Sequence, residues 1–293
     1  MISIIICSIN PELLLNVCKN IHENTDVPVQ IITIDNRNSN KGICKVYNEG
    51  AVKAKYDILC FIHEDVILHS DNWGTKLVRL LEDQTIGLVG VSGAVYKSKY
   101  PGAWTACDIN LYRSSTIQHF KHSVKPIHSI YNPQMKTYDE VAVVDGVFLA
   151  MRKKVWEQNN FDEILLTGFH CYDIDISIRI GSSHKLVVTH EIILEHLSEG
   201  NFSKNWVLSS LLIHKHWEKR LPVQIGNITK SVRIHSDYIA CQNIFLAMLR
   251  NDFGKLLSFK YFINLCFRFI SINRFSHFKT ALKFYLLNKP YTN

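Results

Sequence analysis

The stretch at residues 57–65 reads DILCFIHED, in which an apolar run ends in His63, Glu64 and Asp65. The apolar run predicts a buried strand. Because ligands of α/β sheets bind beyond the carboxyl ends of the strands, acidic groups at this strand end favour a site for a metal ion and a phosphate. The alternative is a strand that simply ends in a polar turn, and the neighbouring segments decide between the two interpretations.

The segments on the N-terminal side of this stretch alternate between strand and helix. Residues 2–7 form a β-branched run without charge, and Asn10 and Pro11 then provide a helix cap and a first-turn proline. A second predicted strand at 30–34 and a helix from about 43 to 54 lead into the strand that ends at His63. This order predicts a parallel sheet with helices on its faces, with polar strand ends along one edge.

Composition and cysteine usage fit a globular protein of the cytosol. The 293 residues are 47% hydrophobic and 20% charged, which is ordinary for a folded domain. The eight cysteines form no Cys-x-x-Cys pair, which favours reduced thiols over a disulfide framework. The apolar N-terminus lacks a basic flank and a cleavage site, and no apolar run is long enough to cross a membrane, so neither a signal peptide nor a membrane span is predicted.

Charge separates the chain into two regions. Residues 231–293 hold nine Lys and Arg against two Asp and so carry the whole net charge of +7. Aromatic and aliphatic residues from Phe253 to Ile270 interleave with these cations, a pattern typical of amphipathic helices on an anionic surface. Helices docked on the rest of the protein are the alternative, and RNA binding is a weaker one. We therefore predict a catalytic domain at 1–225 and a basic, aromatic-rich helical extension at 226–293.

A second group of chemical signals begins near residue 141. Strands at 141–144 and 147–151 are predicted on either side of Asp145-Gly146, and a helix is expected to start at Trp156. The glycine would allow a bend or the close approach of a ligand. The following polar segment places Asp173 just before a short predicted helix.

The last part of the predicted catalytic domain carries the remaining candidates. On the short helix Asp175 lies two residues after Asp173, so the two carboxylates point to different sides, and Asp175 can pair with Arg179. Residues 186–190 and 192–194 are predicted as paired strands that end at His196, with a helix from about 203 to 220.

The order of these segments over roughly residues 1–220 resembles family 2 glycosyltransferases of the GT-A fold. The matching segments are Asp35-Asn36, Asn48-Glu49-Gly50, Asp65, Asp145-Gly146, Phe161-Asp162-Glu163, Tyr172-Asp173-Ile174-Asp175 with Arg179, and His196. The resemblance is strongest to a bacterial subgroup with a His-x-Asp metal segment, and His63 stands where the family usually has the first carboxylate of Asp-x-Asp. It implies an α/β fold with a Rossmann-like mixed sheet flanked by helices, plus a C-terminal helical extension.

The resemblance also implies a reaction and a set of roles. A sugar would move, with inversion, from a nucleotide-diphosphate donor to a hydroxyl of a glycan or lipid-linked acceptor, as in bacterial surface polysaccharide synthesis. Asp65 and His196 would bind Mn²⁺ or Mg²⁺, and Asp173 would be the general base. The nucleotide-binding candidates are Ser8, Asp35, Asn36, Asn48, His63 and Glu64, and those for the acceptor or sugar are Trp104, Asp145, Gly146 and Asp175.

Three other functions compete with this hypothesis. A nucleotidyltransferase would need a Gly-rich basic loop after the first strand, and Ser8-Ile9-Asn10-Pro11 is not such a loop. A metal-dependent hydrolase would need more clustered ligands than His63, Asp65 and His196. A non-catalytic sugar-nucleotide binder stays open because of His63. We expect no nucleic acid partner, and we expect a cytoplasmic protein that associates peripherally with the inner face of the membrane.

Overall fold

The structure is a computed structural model that describes residues 1–39, 41–121 and 123–269. Its main layer is a seven-stranded sheet, here called the central sheet, with the order β10-β13-β5-β12-β3-β1-β2. The strands are β1 (Ile2–Ser8), β2 (Val29–Asp35), β3 (Ile58–Ile62), β4 (Val66–Leu68), β5 (Ile86–Gly90), β6 (Ser92–Ala94), β7 (Tyr96–Lys97), β8 (Tyr112–Gln118), β9 (Ile127–Tyr131), β10 (Tyr138–Val141), β11 (Val143–Val144), β12 (Phe148–Arg152), β13 (Lys185–Thr189), β14 (Leu194–His196) and β15 (Val223–Gln224).

The central sheet separates two apolar cores. In β1, Ile5 packs into one core, whereas Ile4 and Ile6 pack into the other, as the two-residue period of a strand requires. In β3, Phe61 and Ile62 divide between the two cores in the same way. Both faces of the sheet are therefore buried, which explains why these strands read as continuous apolar runs.

Helices cover both faces of the central sheet. Asn10 caps α1 by accepting hydrogen bonds from the backbone N–H groups of Glu12 and Leu13, with Pro11 as the first helical residue. The helices are α1 (Pro11–Asn24), α2 (Ile43–Val52), α3 (Trp73–Glu82), α4 (Lys153–Gln158), α5 (Tyr172–Ile180), α6 (Lys204–His216), α7 (Lys230–Arg250) and α8 (Lys255–Ile263), followed by a π-helix at Asn264–Arg268. The predicted strand-helix order of the first 62 residues is confirmed.

A second sheet stands beside the central one, with the order β11-β6-β8-β14-β4 and with β9 paired to β8. Strand β14 runs antiparallel to β4 and parallel to β8. Strands β7 and β15 form a separate antiparallel pair. Strand β4 follows β3 directly along the chain and pairs with β14, so the second sheet brings the distant segment 194–196 next to residues 66–68.

The predicted mixed sheet is confirmed: β1, β2 and β3 are parallel, and β12 runs antiparallel between β3 and β5. The structure corrects three local predictions. The segments predicted as paired strands, β13 and β14, lie in different sheets. The helix expected at Trp156 starts at Lys153. Asp173 lies inside the first turn of α5 instead of before it, because the helix begins one residue earlier.

The described part of the C-terminal extension packs on residues 1–225. Phe253, Tyr261, Leu265 and Phe269 are buried and belong to one of the two cores. Asp237 of α7 accepts hydrogen bonds from Tyr96 and Ser98, which lie in or beside β7. The extension up to residue 269 thus shares a core with the preceding residues.

Other parts of the extension face outward. Leu257, Phe259 and Phe267 are exposed, and so are Lys260 and Arg268. Ile270 and the four cations beyond it lie outside the described residues. Among the residues that the structure describes, no helix is long and apolar enough to cross a membrane.

Candidate active site

The polar strand ends predicted from sequence meet at one edge of the central sheet. The parallel pairing of β1 and β2 places Ser8 opposite Asp35. Strand β12 runs antiparallel to β3 with Phe148 opposite Ile62, so its N-terminal side lies at the same edge. The backbone N–H of His63 accordingly donates to the carbonyl of Val147 at 3.2 Å.

The second sheet brings His196 to this edge. Strand β14 places His196 opposite Val66 of β4, directly after Asp65. The backbone N–H of Leu197 donates to the carbonyl of Asp65 at 2.9 Å. The register of β4 and β14 therefore brings the two predicted metal ligands together. No feature near either residue in sequence does so.

His63, Asp65 and His196 form a cluster, here called the cation cluster. One nitrogen or oxygen from each residue lies within 4.8 Å of the other two, a spacing that could hold a metal ion. Nε2 of His196 is 3.5 Å from Oδ1 of Asp65, and Nδ1 of His63 is 3.9 Å from the same oxygen. Both histidine rings thus face the same carboxylate oxygen of Asp65.

The protonation of His196 fits a metal ligand. Its Nδ1 lies 3.2 Å from Oε1 of Gln118, while the amide nitrogen of Gln118 donates to the carbonyls of His119 and Ser198. Because that amide uses its donors on carbonyls, Oε1 is left to accept the Nδ1 proton of His196. Nε2 of His196 then carries a lone pair, and it is buried without a hydrogen-bond partner.

The charge states of the other two cluster residues also fit a cation. Burial alone would raise the pKa of Asp65, but the neighbouring imidazoles of His196 and His63 hold that pKa well below its usual range. Burial, and then the neighbouring His196, lower the pKa of His63. An ionised carboxylate beside neutral imidazoles is the form that divalent metals require.

Asp173 is related to this cluster through Asp145, whose charge acts on both His63 and Asp173. The side chain of Asp173 is partly buried in the first turn of α5. Burial, and then the charge of Asp145, raise the pKa of Asp173 to about 7. Asp145 in turn accepts hydrogen bonds from the indole N–H of Trp104 and, at 2.8 Å, from the backbone N–H of Val147. A carboxyl group with a pKa near neutrality suits a general base.

Asp175 differs from Asp173 although only one residue separates them. It is 1% exposed, and its two oxygens accept hydrogen bonds from Arg179 at 2.9 Å and from the indole N–H of Trp217 at 2.8 Å. Both oxygens are used within the protein, so the structure favours a positioning role over contact with a sugar.

Ser8, Asp35 and Asn36 lie together at the ends of β1 and β2. Arg37 pairs with the exposed Asp35 and, mainly through its side-chain hydrogen bonds, lowers the pKa of that carboxyl to about 2. Asn36 is buried and donates from its side-chain amide to the carbonyl of Lys41 at 2.8 Å, and Ser8 is buried as well. The amide oxygen of Asn36 also accepts from Ser39 and from the backbone N–H of Lys41, so the nucleotide-binding role of Ser8, Asp35 and Asn36 stays a prediction.

The side chains of Asn48 and Glu64, predicted to bind the nucleotide, form hydrogen bonds with other groups of the protein. The amide of Asn48 donates to the carbonyl of Phe161 and accepts from the backbone N–H of Phe161 and the indole N–H of Trp156. Glu64 accepts from the backbone N–H groups of Ile9 and Asn10 at 3.1–3.2 Å. Both side chains are engaged in contacts within the protein, and their assignment to a nucleotide stays a prediction.

Three residues of the site were missed by the sequence analysis. These are Gln118, which contacts His196, Tyr172, which contacts His63, and Arg37, which pairs with Asp35. Tyr172 stands in a segment already recognised, next to Asp173. Gln118 lies in a stretch whose sequence has no readable pattern, and only its pairing opposite His196 reveals it.

A sequence profile described as a glycosyltransferase-like family matches residues 3–220. The chain belongs to this family. The matched range includes every residue of the cation cluster together with Asp173, so the predicted family resemblance is confirmed. A search of curated proteins found no match to the sequence.

Solved structures agree on the fold of this glycosyltransferase-like protein. GalNAc-T7 with UDP, GalNAc and Mn²⁺ aligns with a TM-score of 0.53 at 14% identity, over 84% of this chain and 50% of that chain. The mannosyltransferase PcManGT from Pyrobaculum calidifontis, in complex with GDP-Man and Mn²⁺, aligns with a TM-score of 0.51 at 12% identity, over 98% of this chain and 81% of that chain. The chain thus spans half the length of GalNAc-T7, and the predicted GT-A fold is confirmed.

Proposed function

We propose that this glycosyltransferase-family protein is a metal-dependent, inverting enzyme that moves a sugar from a nucleotide-diphosphate donor to an acceptor hydroxyl. The observation that carries the proposal is the cation cluster together with Asp173, a carboxyl whose pKa is about 7. A cation site and a general base are the two groups that such a displacement needs. UDP or GDP-mannose together with Mn²⁺ in the two similar structures supports a nucleotide donor.

The donor would lie along the edge of the central sheet. Its base would meet Ser8, Asp35 and Asn36, and its diphosphate would face Asp65 and His196. A bound Mn²⁺ or Mg²⁺ would neutralise the charge that develops on the leaving diphosphate. Asp65 supplies an ionised oxygen and His196 a buried nitrogen without a hydrogen-bond partner for such an ion.

The acceptor would approach from the side of Trp104, Asp145 and Gly146. Asp173 accepts the proton of the acceptor hydroxyl as its oxygen attacks the sugar carbon opposite the diphosphate. A carboxyl with a pKa of about 7 is ionised at slightly alkaline pH and still has high proton affinity, as general-base catalysis requires. Trp104 and Val147 fix Asp145, and the charge of Asp145 raises that proton affinity.

The acceptor is proposed to be a glycan or a lipid-linked glycan of bacterial surface polysaccharide synthesis, reached from the membrane surface. The exposed Leu257 and Phe267 lie on the same extension as the exposed cations Lys260 and Arg268. Apolar and basic side chains together suit an anionic bilayer. Phe253 and Tyr261 pack inward, so the surface proposed for lipid contact is the outward side of α8 and the π-helix.

A non-catalytic sugar-nucleotide binder is the second candidate, because His63 replaces a carboxylate of the usual metal segment. The release of nucleoside diphosphate from UDP- and GDP-sugars in the presence of Mn²⁺ distinguishes the two. Turnover supports the enzyme, whereas binding without turnover supports the binder.

The proposed function is tested by calorimetric titration of UDP and GDP with and without Mn²⁺. We expect Asp65→Asn to remove the metal-dependent part of the affinity and His196→Ala to weaken it less. Asp57→Asn is the matched control, since Asp57 is exposed at the opposite end of β3 and its loss should change nothing. Unchanged Mn²⁺-dependent binding in Asp65→Asn would overturn the metal assignment.

A further inference from the structure

The hairpin formed by β8 and β9 lies at an open edge of the second sheet. Strand β8 pairs with β6, β14 and β9, whereas β9 pairs only with β8 among the described residues. One edge of β9 is therefore open in the part of the chain that the structure describes. Residues 117–121 and 123–138, which comprise the end of β8, all of β9 and the turn that leads into β10, are here called the hairpin segment.

The hairpin segment exposes large apolar side chains. Val124 and Met135 are wholly or almost wholly exposed, and Ile127 and Ile130 are each more than half exposed. Ile127 and Ile130 lie three residues apart and so point to opposite faces of β9, which means that neither face of the strand is covered there. Exposed apolar side chains that are clustered in one segment are typical of an interaction site.

The turn after β9 holds one of these side chains in an unfavourable backbone conformation. Met135 has a φ of 50°, in the left-handed region that residues with a long side chain rarely adopt. The side chain of Asn132 fixes the turn, since its amide donates to the carbonyl of Lys136 at 2.8 Å and accepts from the N–H of Lys136 at 3.0 Å. Glycine or asparagine would fit this position without strain, so an exposed methionine there indicates a use for its side chain.

The hairpin segment is also positively charged. Residues 118–138 contain Lys121, Lys125 and Lys136 and no Asp or Glu. Lys121 and Lys125 are exposed, whereas Lys136 lies 3.5 Å from the buried Asp139. Glu199 also contacts the segment, by accepting from the backbone N–H of Lys121 at 3.3 Å. Two exposed lysines thus accompany the exposed apolar side chains, which favours an anionic partner.

An anionic lipid bilayer fits this combination better than a second copy of the chain or a glycan does. Two copies would bring like charges together along the open edges of β9, which is unfavourable. A glycan would pair with the lysines but would leave Val124 and Met135 in water. The interfacial layer of a bilayer can surround both faces of β9 and offers phosphates as well as apolar chains. Because unpaired backbone groups are costly in hydrocarbon, such a contact is expected at the depth of the head groups.

The hairpin segment begins next to the cation cluster. Gln118 of β8 is paired with His196 of β14 and also with Ile127 of β9. The backbone N–H of His119 donates to the carbonyl of His196 at 3.0 Å. Ile127 is thus two strand spacings, about 10 Å, from His196. A bilayer that contacts β9 therefore lies close enough to the site for an acceptor that is carried by a lipid.

We propose that the hairpin segment docks on an anionic bilayer at the depth of the head groups, with Val124, Ile127 and Met135 as its apolar contacts and with Lys121 and Lys125 facing lipid phosphates. The inference deepens the proposed function, since it rests on an acceptor that is carried by a lipid. It adds a contact next to the cation cluster to the one proposed on α8 and the π-helix.

Sedimentation of the full chain with vesicles tests this contact. The wild type should sediment with vesicles of phosphatidylglycerol and phosphatidylcholine, and much less with phosphatidylcholine alone. Lys121→Gln and Lys125→Gln should each lower the partition coefficient on the anionic vesicles about fivefold at low salt. The control Lys55→Gln changes an exposed lysine between α2 and β3 and should leave the partition coefficient unchanged.

The double variant Val124→Ser, Met135→Asn separates the apolar contact from the charge. It keeps both lysines, and asparagine adopts a positive φ more readily than methionine does, so thermal unfolding should show no loss of stability. Its partition coefficient on anionic vesicles should nevertheless fall about tenfold, because two apolar contacts are lost. Val52→Ser, which changes an exposed valine of α2, is the matched control and should have no effect.

Amide hydrogen exchange locates the contact within the chain. Anionic vesicles should slow exchange at residues 123–131 of the wild type and not of the double variant. Slower exchange in α8 alone, or unchanged sedimentation of the double variant, overturns the inference. Slower exchange in β9 at rising protein concentration without vesicles would assign the surface to a second copy, and equal slowing by a soluble anionic polysaccharide would assign it to a glycan. Both of these results also overturn the lipid contact.

Failure of this inference is distinguishable from failure of the proposed function. Titration of UDP and GDP with Mn²⁺ needs no vesicles, and the hairpin variants should bind both like the wild type. Loss of vesicle binding at unchanged nucleotide binding therefore reports on the hairpin segment alone. Absence of Mn²⁺-dependent nucleotide binding in the wild type would instead contradict the proposed function.

Discussion

Two groups of polar side chains that the sequence predicts as site residues differ in what their hydrogen-bonding atoms contact. Asn48 and Glu64 direct their polar atoms to backbone or indole groups of the protein. The cation cluster directs three ligand atoms at one another and leaves Nε2 of His196 buried and unpartnered. Because an unpaired buried polar atom is costly, it marks a place where a ligand completes the structure.

The two carboxylates of α5 show the same contrast over a shorter distance. Asp175 pairs with the charge of Arg179 and accepts a hydrogen bond from the indole of Trp217, whereas burial raises the pKa of Asp173 to about 7. Polar residue type alone therefore does not distinguish a functional side chain from a structural one. What distinguishes the two kinds of side chain is whether the protein leaves some of their hydrogen-bonding atoms without a partner. The following variants test this rule.

The largest effect is expected for Asp173→Asn. The amide keeps the shape of the side chain but cannot accept a proton, so turnover should fall by about 10²–10⁴-fold while metal-dependent binding of UDP or GDP persists. Wild-type turnover should rise with pH through about 7, because only the ionised carboxyl is a base. The measurement is nucleoside diphosphate release from a panel of UDP- and GDP-sugars. Turnover retained in Asp173→Asn would exclude it as the base.

Asp175→Asn should lower the stability of the folded protein. Removing one partner of a buried ion pair leaves Arg179 with only Asp162 at 3.2 Å, which should lower the free energy of unfolding by about 3–5 kcal/mol. Urea unfolding measures this loss, and the folded fraction should still bind Mn²⁺ with nucleoside diphosphate. If Asp175→Asn instead stopped turnover at unchanged stability, while Asp173→Asn did not, the roles of the two carboxylates would be reversed.

Asn48→Ala tests a residue whose polar atoms are all used within the protein. Its loss leaves the backbone N–H and carbonyl of Phe161 and the indole of Trp156 without their partner, at a cost of about 1–3 kcal/mol. Metal-dependent nucleoside diphosphate binding should stay at the wild-type level. Loss of that binding at unchanged stability would return Asn48 to the donor site, as the sequence first suggested.

The smallest effect is expected at the C-terminal extension. Each cation near an anionic bilayer contributes on the order of 1 kcal/mol, so the full chain should sediment with anionic liposomes at low salt and less at high salt. The double variant Leu257→Ser, Phe267→Ser should sediment less, whereas Leu15→Ser, which changes an exposed leucine of α1, should not. Equal sedimentation of the wild type with neutral and anionic liposomes would contradict the proposed surface.

Several elements could be predicted from the sequence because their causes are local. The apolar runs of β1 and β3 mark strands buried on both faces, and Asn10 with Pro11 fixes the start of α1 within a few residues. The order of motifs also indicated the family and the cluster residues Asp65 and His196. Periods, caps and motif order are all visible along the chain, so they need no knowledge of the fold.

The partners of those residues were decided by the tertiary structure alone. Gln118 and His196 are 78 residues apart, and His63 and Tyr172 are 109 apart, yet each pair is within hydrogen-bond distance. Both contacts depend on which strands pair and in which register, and that is set by packing over the whole domain. The sequence by itself determined which polar residues end the strands of this protein. Only the folded structure decided which of them form hydrogen bonds with other groups of the protein. Buried donors and acceptors are paired by neighbours in space and not by neighbours in sequence.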